Sequence, residues 1–277
     1  MNKRERLAAA LENRETDRPP VGFWYHFPDG ADVVESQLRF YRESGMDFCK
    51  IMCDGYFSYP NPGLKEVHRA KDLYQLKPMD PGHPYFREQV ERAARIVREL
   101  KEECFVFYSI FCPMSYLRFG TSEEQVMAFY REDPEAFAYG LSVVAEDASR
   151  LARLLITEAG CDGVYYSVQN AELSRFSFEE YRKYVTPSDK AVLLEAEKYS
   201  PYNILHCCGW AGDKNRVEVW QDYPAPRSTG PYMWRAYLFP KGKNFSADAV
   251  CWAASRTPRT ASSTEGVRKR FRNSPPA

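Results

Sequence analysis

The 277-residue chain is predicted to fold as a parallel α/β protein, specifically a (β/α)8 barrel that is incomplete at its carboxyl end. Three observations carry this reading. Short apolar runs alternate with longer amphipathic stretches over the first 224 residues, the order that lays helices over a parallel sheet. No Gly-rich turn follows the first strand, which argues against a dinucleotide-binding domain. Polar and titratable residues gather where each predicted strand ends, and in a barrel of about 250 residues or more those ends converge on one face.

The elements follow in order. Residues 21–25 come after the pair Pro19-Pro20 and read as a strand, 31–44 as a helix, and 48–52 as a second strand. Within residues 85–103, Phe86, Val90, Ala93, Val97 and Leu100 fall at helical spacing, so one stripe is buried and the Arg/Glu remainder faces water. Residues 104–111 are an unbroken apolar and aromatic run, as expected of a strand covered on both faces. The pattern repeats with a helix at 134–159 stopped by Gly160, a strand at 163–166, a helix at 188–199, and a strand at 203–208 stopped by Gly209. The groups that would meet at the strand ends are Tyr25 and His26, Cys53 and Asp54, Cys112 and Pro113, Ser167 to Asn170, and His206 to Cys208.

Composition narrows the classes. The chain is 44% hydrophobic and 27% charged, enough to bury a core and unlike a disordered chain. There is no run of eighteen apolar residues, and the first twenty residues are too short and charged for a secretory segment, so no membrane partner and a cytoplasmic location are expected. The eight cysteines follow no small-scaffold spacing and are expected as thiols or metal ligands. The 17 Phe and 19 Tyr are expected mainly as core and pocket wall. Charge is balanced at 38 basic and 38 acidic residues, but unevenly placed. The 53 residues after Pro224 hold ten basic and two acidic side chains, a net of +8, which leaves −8 on residues 1–224. The tail's basic residues form no helical stripe and are not interleaved with aromatics, so nucleic acid is not the expected partner.

At its strand ends the chain resembles the uroporphyrinogen decarboxylase superfamily, which joins tetrapyrrole decarboxylases to cobamide-dependent methyltransferases. The resemblance spans residues 2–224. It rests on Asn2-Lys3-Arg4-Glu5-Arg6-Leu7 with Asp17-Arg18-Pro19-Pro20-Val21, then Gly45-Met46-Asp47-Phe48-Cys49-Lys50, Gly160-Cys161-Asp162-Gly163-Val164 and Leu205-His206-Cys207-Cys208-Gly209, in family order. It implies a barrel of the uroporphyrinogen decarboxylase type and a small-molecule substrate. Asp54 matches the aspartate that faces pyrrole nitrogens in the decarboxylases. The arginines which grip substrate carboxylates there are missing, because the sequence after Val21 reads Gly-Phe-Trp-Tyr-His-Phe-Pro-Asp-Gly.

The resemblance therefore favours the methyltransferases, whose His-x-Cys-Gly sequence and a cysteine well downstream bind zinc. His206 and Cys208 match the first pair. Residues two apart on a strand share a face, so both can reach one ion while Cys207 points away into packing. Three protein ligands and one open position make a catalytic zinc site at which a thiol loses its proton. The implied methyl donor is a methyl-corrinoid, with a corrinoid protein as partner. His26, Tyr116, Gln169 and Asn170 are expected to line the substrate pocket, or else to satisfy local backbone groups; Asp54 could likewise be a loop cap. The runner-up activity is uroporphyrinogen decarboxylation in tetrapyrrole biosynthesis, and a third reading is an inactive truncated product.

That third reading comes from the tail. Beyond Pro224 the resemblance stops, and residues 225–277 read as a basic, non-native or disordered segment behind a partial barrel at 1–224. Sliding the reading frame back by one nucleotide over residues 231–256, with free choice of wobble bases, allows a family-like segment containing Leu-Phe-Gly-Gly and a second Gly-Gly turn. Such a frame change would remove the last strands and the downstream cysteine ligand. The nucleotide sequence around codons 224–226 tests it directly.

Overall fold

The computed structural model describes residues 1–12, 14–28, 32–207, 215–224 and 249–251. Helix α1 (Lys3–Leu11) opens the chain, begun by a capping box in which Asn2 and Glu5 bond each other's backbone N–H. Strand β1 (Val21–Phe23), helix α2 (Val33–Ser44) and strand β2 (Phe48–Ile51) follow. Asp32 caps α2, and Gly45 ends it at φ 67°, a left-handed conformation that glycine adopts without strain. Two short 3-10 turns, Pro62–Glu66 and Ala70–Gln75, lead to α3 (Pro84–Leu100) and β3 (Phe105–Phe111). Helices α4 (Pro113–Gly120), α5 (Glu123–Glu132) and α6 (Pro134–Thr157) come next, then β4 (Gly163–Val168), α7 (Phe178–Tyr184), α8 (Thr186–Glu197) and β5 (Ile204–Cys207).

The strands β2-β3-β4-β5 form a parallel sheet in that order. Lys50 lies opposite Phe107, Ser109 opposite Tyr165, and Ser167 opposite His206. Strand β1 runs beside β2, where the Asp47 N–H donates to the Val21 carbonyl at 2.7 Å. Of the residues after Pro224, the described ones are strand β6 (Ala249–Cys251), which pairs antiparallel with β1. The alternating order seen in the sequence is thus a parallel α/β architecture, with strand positions within two residues of those expected.

Alternation along the strands separates two cores. Cys49, Ile51, Val106, Tyr108, Ile110, Val164, Tyr166 and Leu205 point into the larger core, against the apolar stripes of α2, α3, α6 and α8. Phe48, Met52, Phe105, Phe107, Tyr165 and Ile204 point the other way, into a smaller core closed by Leu7 and Leu11 of α1 and by Trp24. Each fully buried leucine contributes roughly 1.5–3 kcal/mol.

Ion pairs hold α1 against the strand starts. Arg6 pairs with the fully buried Asp47 at 2.7 Å, and Asp47 also receives Arg18 and the Val21 N–H. Arg4 pairs with Asp162 at 2.6 Å, whose other oxygen accepts from the Val106 N–H. Four of the family-like sequence elements therefore meet in one scaffold beneath the sheet. Among the described residues no helix is long and apolar enough to cross a membrane.

Candidate functional site

The inner face of the sheet is the face a barrel would enclose, and its polar residues are few. Lys50, in the middle of β2, is 4% exposed. Its ammonium lies 3.8 Å from the ring centroid of Trp24 and 4.0 Å from that of Tyr165, a cation held by two aromatic faces. His206 of β5 packs on the same two rings, at 5.7 and 5.4 Å between centroids. Burial and then the charge of Lys50 push the His206 imidazole well below its ordinary range. It is therefore neutral at physiological pH, the form in which an imidazole ligates a metal. Cys207 faces the larger core, as strand alternation demands.

A second group stands at the exits of β1 and β2. Asp54 is 5% exposed and accepts hydrogen bonds from the Phe27 N–H at 3.1 Å and from His26 Nδ1 at 2.8 Å. Asp54 thus caps the loop after β1 and also orients a half-exposed imidazole. With the carboxylate ionised, Nδ1 carries the hydrogen and Nε2 is the basic nitrogen, an arrangement suited to accepting a proton. Arg92 of α3 fixes this exit from behind by donating to the Asp54 and Met52 carbonyls at 2.6 and 3.2 Å. The nearby thiols are not nucleophiles. Burial pushes Cys53 and Cys112 up to about 12, and the neighbouring Asp54 and Asp189 charges add to it.

An aromatic bridge joins these exits to those of β3 and β4. The His26 ring contacts Phe57, Phe57 contacts Phe111 and Phe119, and the Arg118 guanidinium lies 5.0 Å from the Phe119 ring. Arg118 donates to the Gln169 side chain at 3.2 Å. Gln169 continues the inner row of β4 after Tyr165 and Ser167. Asn170 is fully buried with φ 69° and donates to Ser115 Oγ at 2.9 Å, so it braces the β4 exit against α4. A non-glycine residue in that conformation is strained, and asparagine tolerates it best.

Of the residues expected at the site, the structure brings His26 together with Asp54 and places Gln169 on the same rim. His206 lies deeper, on the inner face, and Asn170 sits behind the rim. Tyr116 is elsewhere: at 1% exposure it packs in the larger core on Tyr59 and Phe111. Cys208 lies outside the described residues. Sequence reasoning missed Lys50, Trp24 and Arg118. A lysine inside the apolar run Phe48-Cys49-Lys50-Ile51-Met52 was a readable signal, since buried lysines are rare; Arg118 gave none, because it reaches the strand exits from helix α4.

Zinc fits the described part of the site only partially. His206 has the burial and protonation state of a ligand, while among the described residues no cluster of three or more His, Cys, Asp or Glu could hold a metal. The Lys50 charge beside it also opposes a divalent cation.

The parallel sheet with helices packed on it defines an α/β protein, and the polar groups described above stand on its inner face and at its strand ends. Residues 56–219, more than half of the chain, match the family "Uroporphyrinogen decarboxylase (URO-D)". The protein belongs to that family. No curated protein matches the sequence. Among solved structures, a methyltransferase from Methanosarcina mazei is similar in fold, with a TM-score of 0.55 at 16% identity over 76% of this chain and 70% of that one.

Proposed function

We propose that this protein derives from a corrinoid-dependent methyltransferase of the family, one that moves a methyl group from a methyl-corrinoid to a thiol within a (β/α)8 barrel of which β1 to β5 are the described strands. The observation that carries the reading is His206. It is neutral, buried and on the inner face, where the family's methyltransferases carry the first zinc ligand. The exit of β1 supports it, since Trp24, Tyr25 and His26 stand where the decarboxylases carry arginines.

His206 and Cys208 would hold the metal, which when bound supplies the charge that keeps an acceptor thiol deprotonated. The chain's own residues do the rest. Trp24 and Tyr165 exclude water around His206, Lys50 stabilises negative charge in the same pocket, and the His26–Asp54 pair can take up a proton at the rim. A corrinoid protein is the proposed partner. Decarboxylation of a tetrapyrrole is the second reading, and the buried Asp54 carboxylate at the pocket rim favours it.

Metal analysis tests the ligand assignment, and substrate turnover separates the readings. Cys251 is the one cysteine after residue 208 and lies in the tail, so we expect it not to serve as the third ligand and the purified chain to bind zinc weakly. What it binds should be lost in His206→Ala and kept in Cys207→Ala. Tight stoichiometric zinc would overturn the account of the tail, and equal loss in both variants would overturn the ligand assignment. Turnover of uroporphyrinogen would select the second reading.

A further inference from the structure

Helices α6 and α8 pack side by side and leave between them an open groove of about 400 Å³. Its walls are short side chains: Ala138, Ser142 and Ala145 along α6, and Pro187 and Ala191 along α8. Ala145 and Ser188 are buried and form its floor. Among the described residues that line it, the charged ones are Glu146 and Glu195, so an apolar groove carries an acidic border. Walls of alanine and serine let a ridge of larger side chains come close, as ridges-into-grooves packing requires.

The neighbouring stripe of α8 is such a ridge. Lys190, Leu194 and Lys198 follow at intervals of four, beside the stripe of Pro187, Ala191 and Glu195 that walls the groove. Leu194 is 52% exposed, a large apolar side chain in water at the edge of an apolar groove. A lone exposed leucine is ordinary. One set between two lysines, next to a groove bordered by two glutamates, gives a surface that carries both halves of a contact. The geometry is self-complementary: in an antiparallel pairing of α8 with the same helix of a second copy, centred between Ala191 and Leu194, Leu194 of each copy falls on Ala191 of the other and Lys190 falls opposite Glu195. Every contact then occurs twice, as a two-fold axis requires. Lys190 can turn to this partner without cost to its own chain, since it shares Asp222 with Arg182, which keeps that carboxylate paired.

We propose that this face is a homodimer interface, in which Leu194 of each copy seats in the α6–α8 groove of the other and Lys190 pairs with Glu195 across the two-fold axis. The occupant is a second copy because the leucine, the groove and both signs of charge lie together on one face of this chain. No residue of the face belongs to the group at the strand exits, so the inference does not depend on methyl transfer.

The test is sedimentation velocity of the full chain over a range of concentrations, with Leu194→Glu, Lys190→Glu, Glu195→Lys and the double variant Lys190→Glu/Glu195→Lys alongside the unaltered protein. The unaltered protein should show a reversible monomer–dimer equilibrium. Leu194→Glu puts an acid into an acidic groove and should remain monomeric at every concentration. Each single charge reversal sets like charges opposite each other twice and should weaken the dimer about tenfold. The double variant restores both pairs between copies and should recover the association, although within each chain it puts like charges beside Asp222 and Lys198. Its recovery therefore reports contact between copies and not repair of the fold. Circular dichroism checks that Leu194→Glu folds, and the charge reversals decide the matter whatever the folding of that variant. A monomeric parent would overturn the proposal and leave the groove to a basic helix of another protein. So would a dimer that a folded Leu194→Glu leaves intact, or a double variant that associates no better than the single ones.

Discussion

Asp189 of α8 offers a test of how burial and hydrogen bonding compete inside this fold. Its carboxyl is fully buried and receives three phenols: Tyr223 at 2.7 Å, Tyr181 at 3.3 Å and Tyr166 at 3.4 Å. Those donors favour the ionised form, but burial disfavours it more and pushes the group up to about 7. In the unfolded chain the same carboxyl titrates near 3.8. Between about pH 4 and pH 7 the unfolded state therefore ionises while the folded state does not. The folded-state value is the raised one, so the stability this group contributes is complete below pH 4, falls through that window and is flat above it. A difference of about three pH units corresponds to on the order of 4 kcal/mol. Asp189→Asn cannot ionise and lacks this fall. Urea unfolding followed by tryptophan fluorescence at pH 4 to 8 should show the variant gaining on the parent by up to that amount as pH rises, because Trp220 donates to Tyr181 in the same cluster. The other carboxyls cancel in the difference. Parallel pH curves would refute the reasoning. A parent that gains with pH would show that the phenols win over burial.

Two further predictions concern the scaffold. Asp47→Ala leaves Arg6, Arg18 and the Val21 N–H without their shared acceptor, and should cost about 3–5 kcal/mol in urea unfolding. Gly163→Ala should destabilise by roughly 1–3 kcal/mol, since its new methyl would sit 2.7 Å from the Tyr202 carbonyl oxygen, a backbone atom that cannot rotate away. A melting temperature unchanged from the parent would remove either claim.

The sequence showed most clearly those elements whose pattern is set by one covered face. Strand β3 was readable because helices and the inner core bury nearly all of Phe105–Phe111, and α3 and α6 because their stripes repeat at helical spacing over many turns. Helix α1 was not read as a helix. Its docking depends on Arg4 and Arg6 finding Asp162 and Asp47, contacts that join residues far apart in the chain. Helices α4 and α5 were hidden in a different way. Pro113 directly after β3 looks like a terminator, yet here it is the first residue of α4, where a missing N–H costs nothing. Tyr116 went to the wrong side of that boundary, because the rotation of α4 and not the end of β3 decides where its ring points. At the site, Asp54 was named from the family resemblance and its place after β2, and His206 from its place on β5, where alternation sets the direction of a side chain.

The two ends of the strands play different parts within the family-like motifs. Asp47 and Asp162, conspicuous in the sequence, lie where β2 and β4 begin, and each is saturated by arginines and a backbone N–H; they hold the fold. The groups with capacity for chemistry lie at or toward the opposite ends. There the charge is graded along the strands, with the Lys50 ammonium beside the neutral His206 on the inner face and the Asp54 carboxylate beside His26 at the strand exits. For the methyl transfer proposed above, an anionic sulfur near His206 would be stabilised by Lys50. The grading needs β1, β2, β4 and β5 to be in place, and all four lie within the described sheet and its neighbouring strand. The methyl transfer proposed above would still need the rest of the metal site, so zinc whose binding depends on His206 tests that proposal directly.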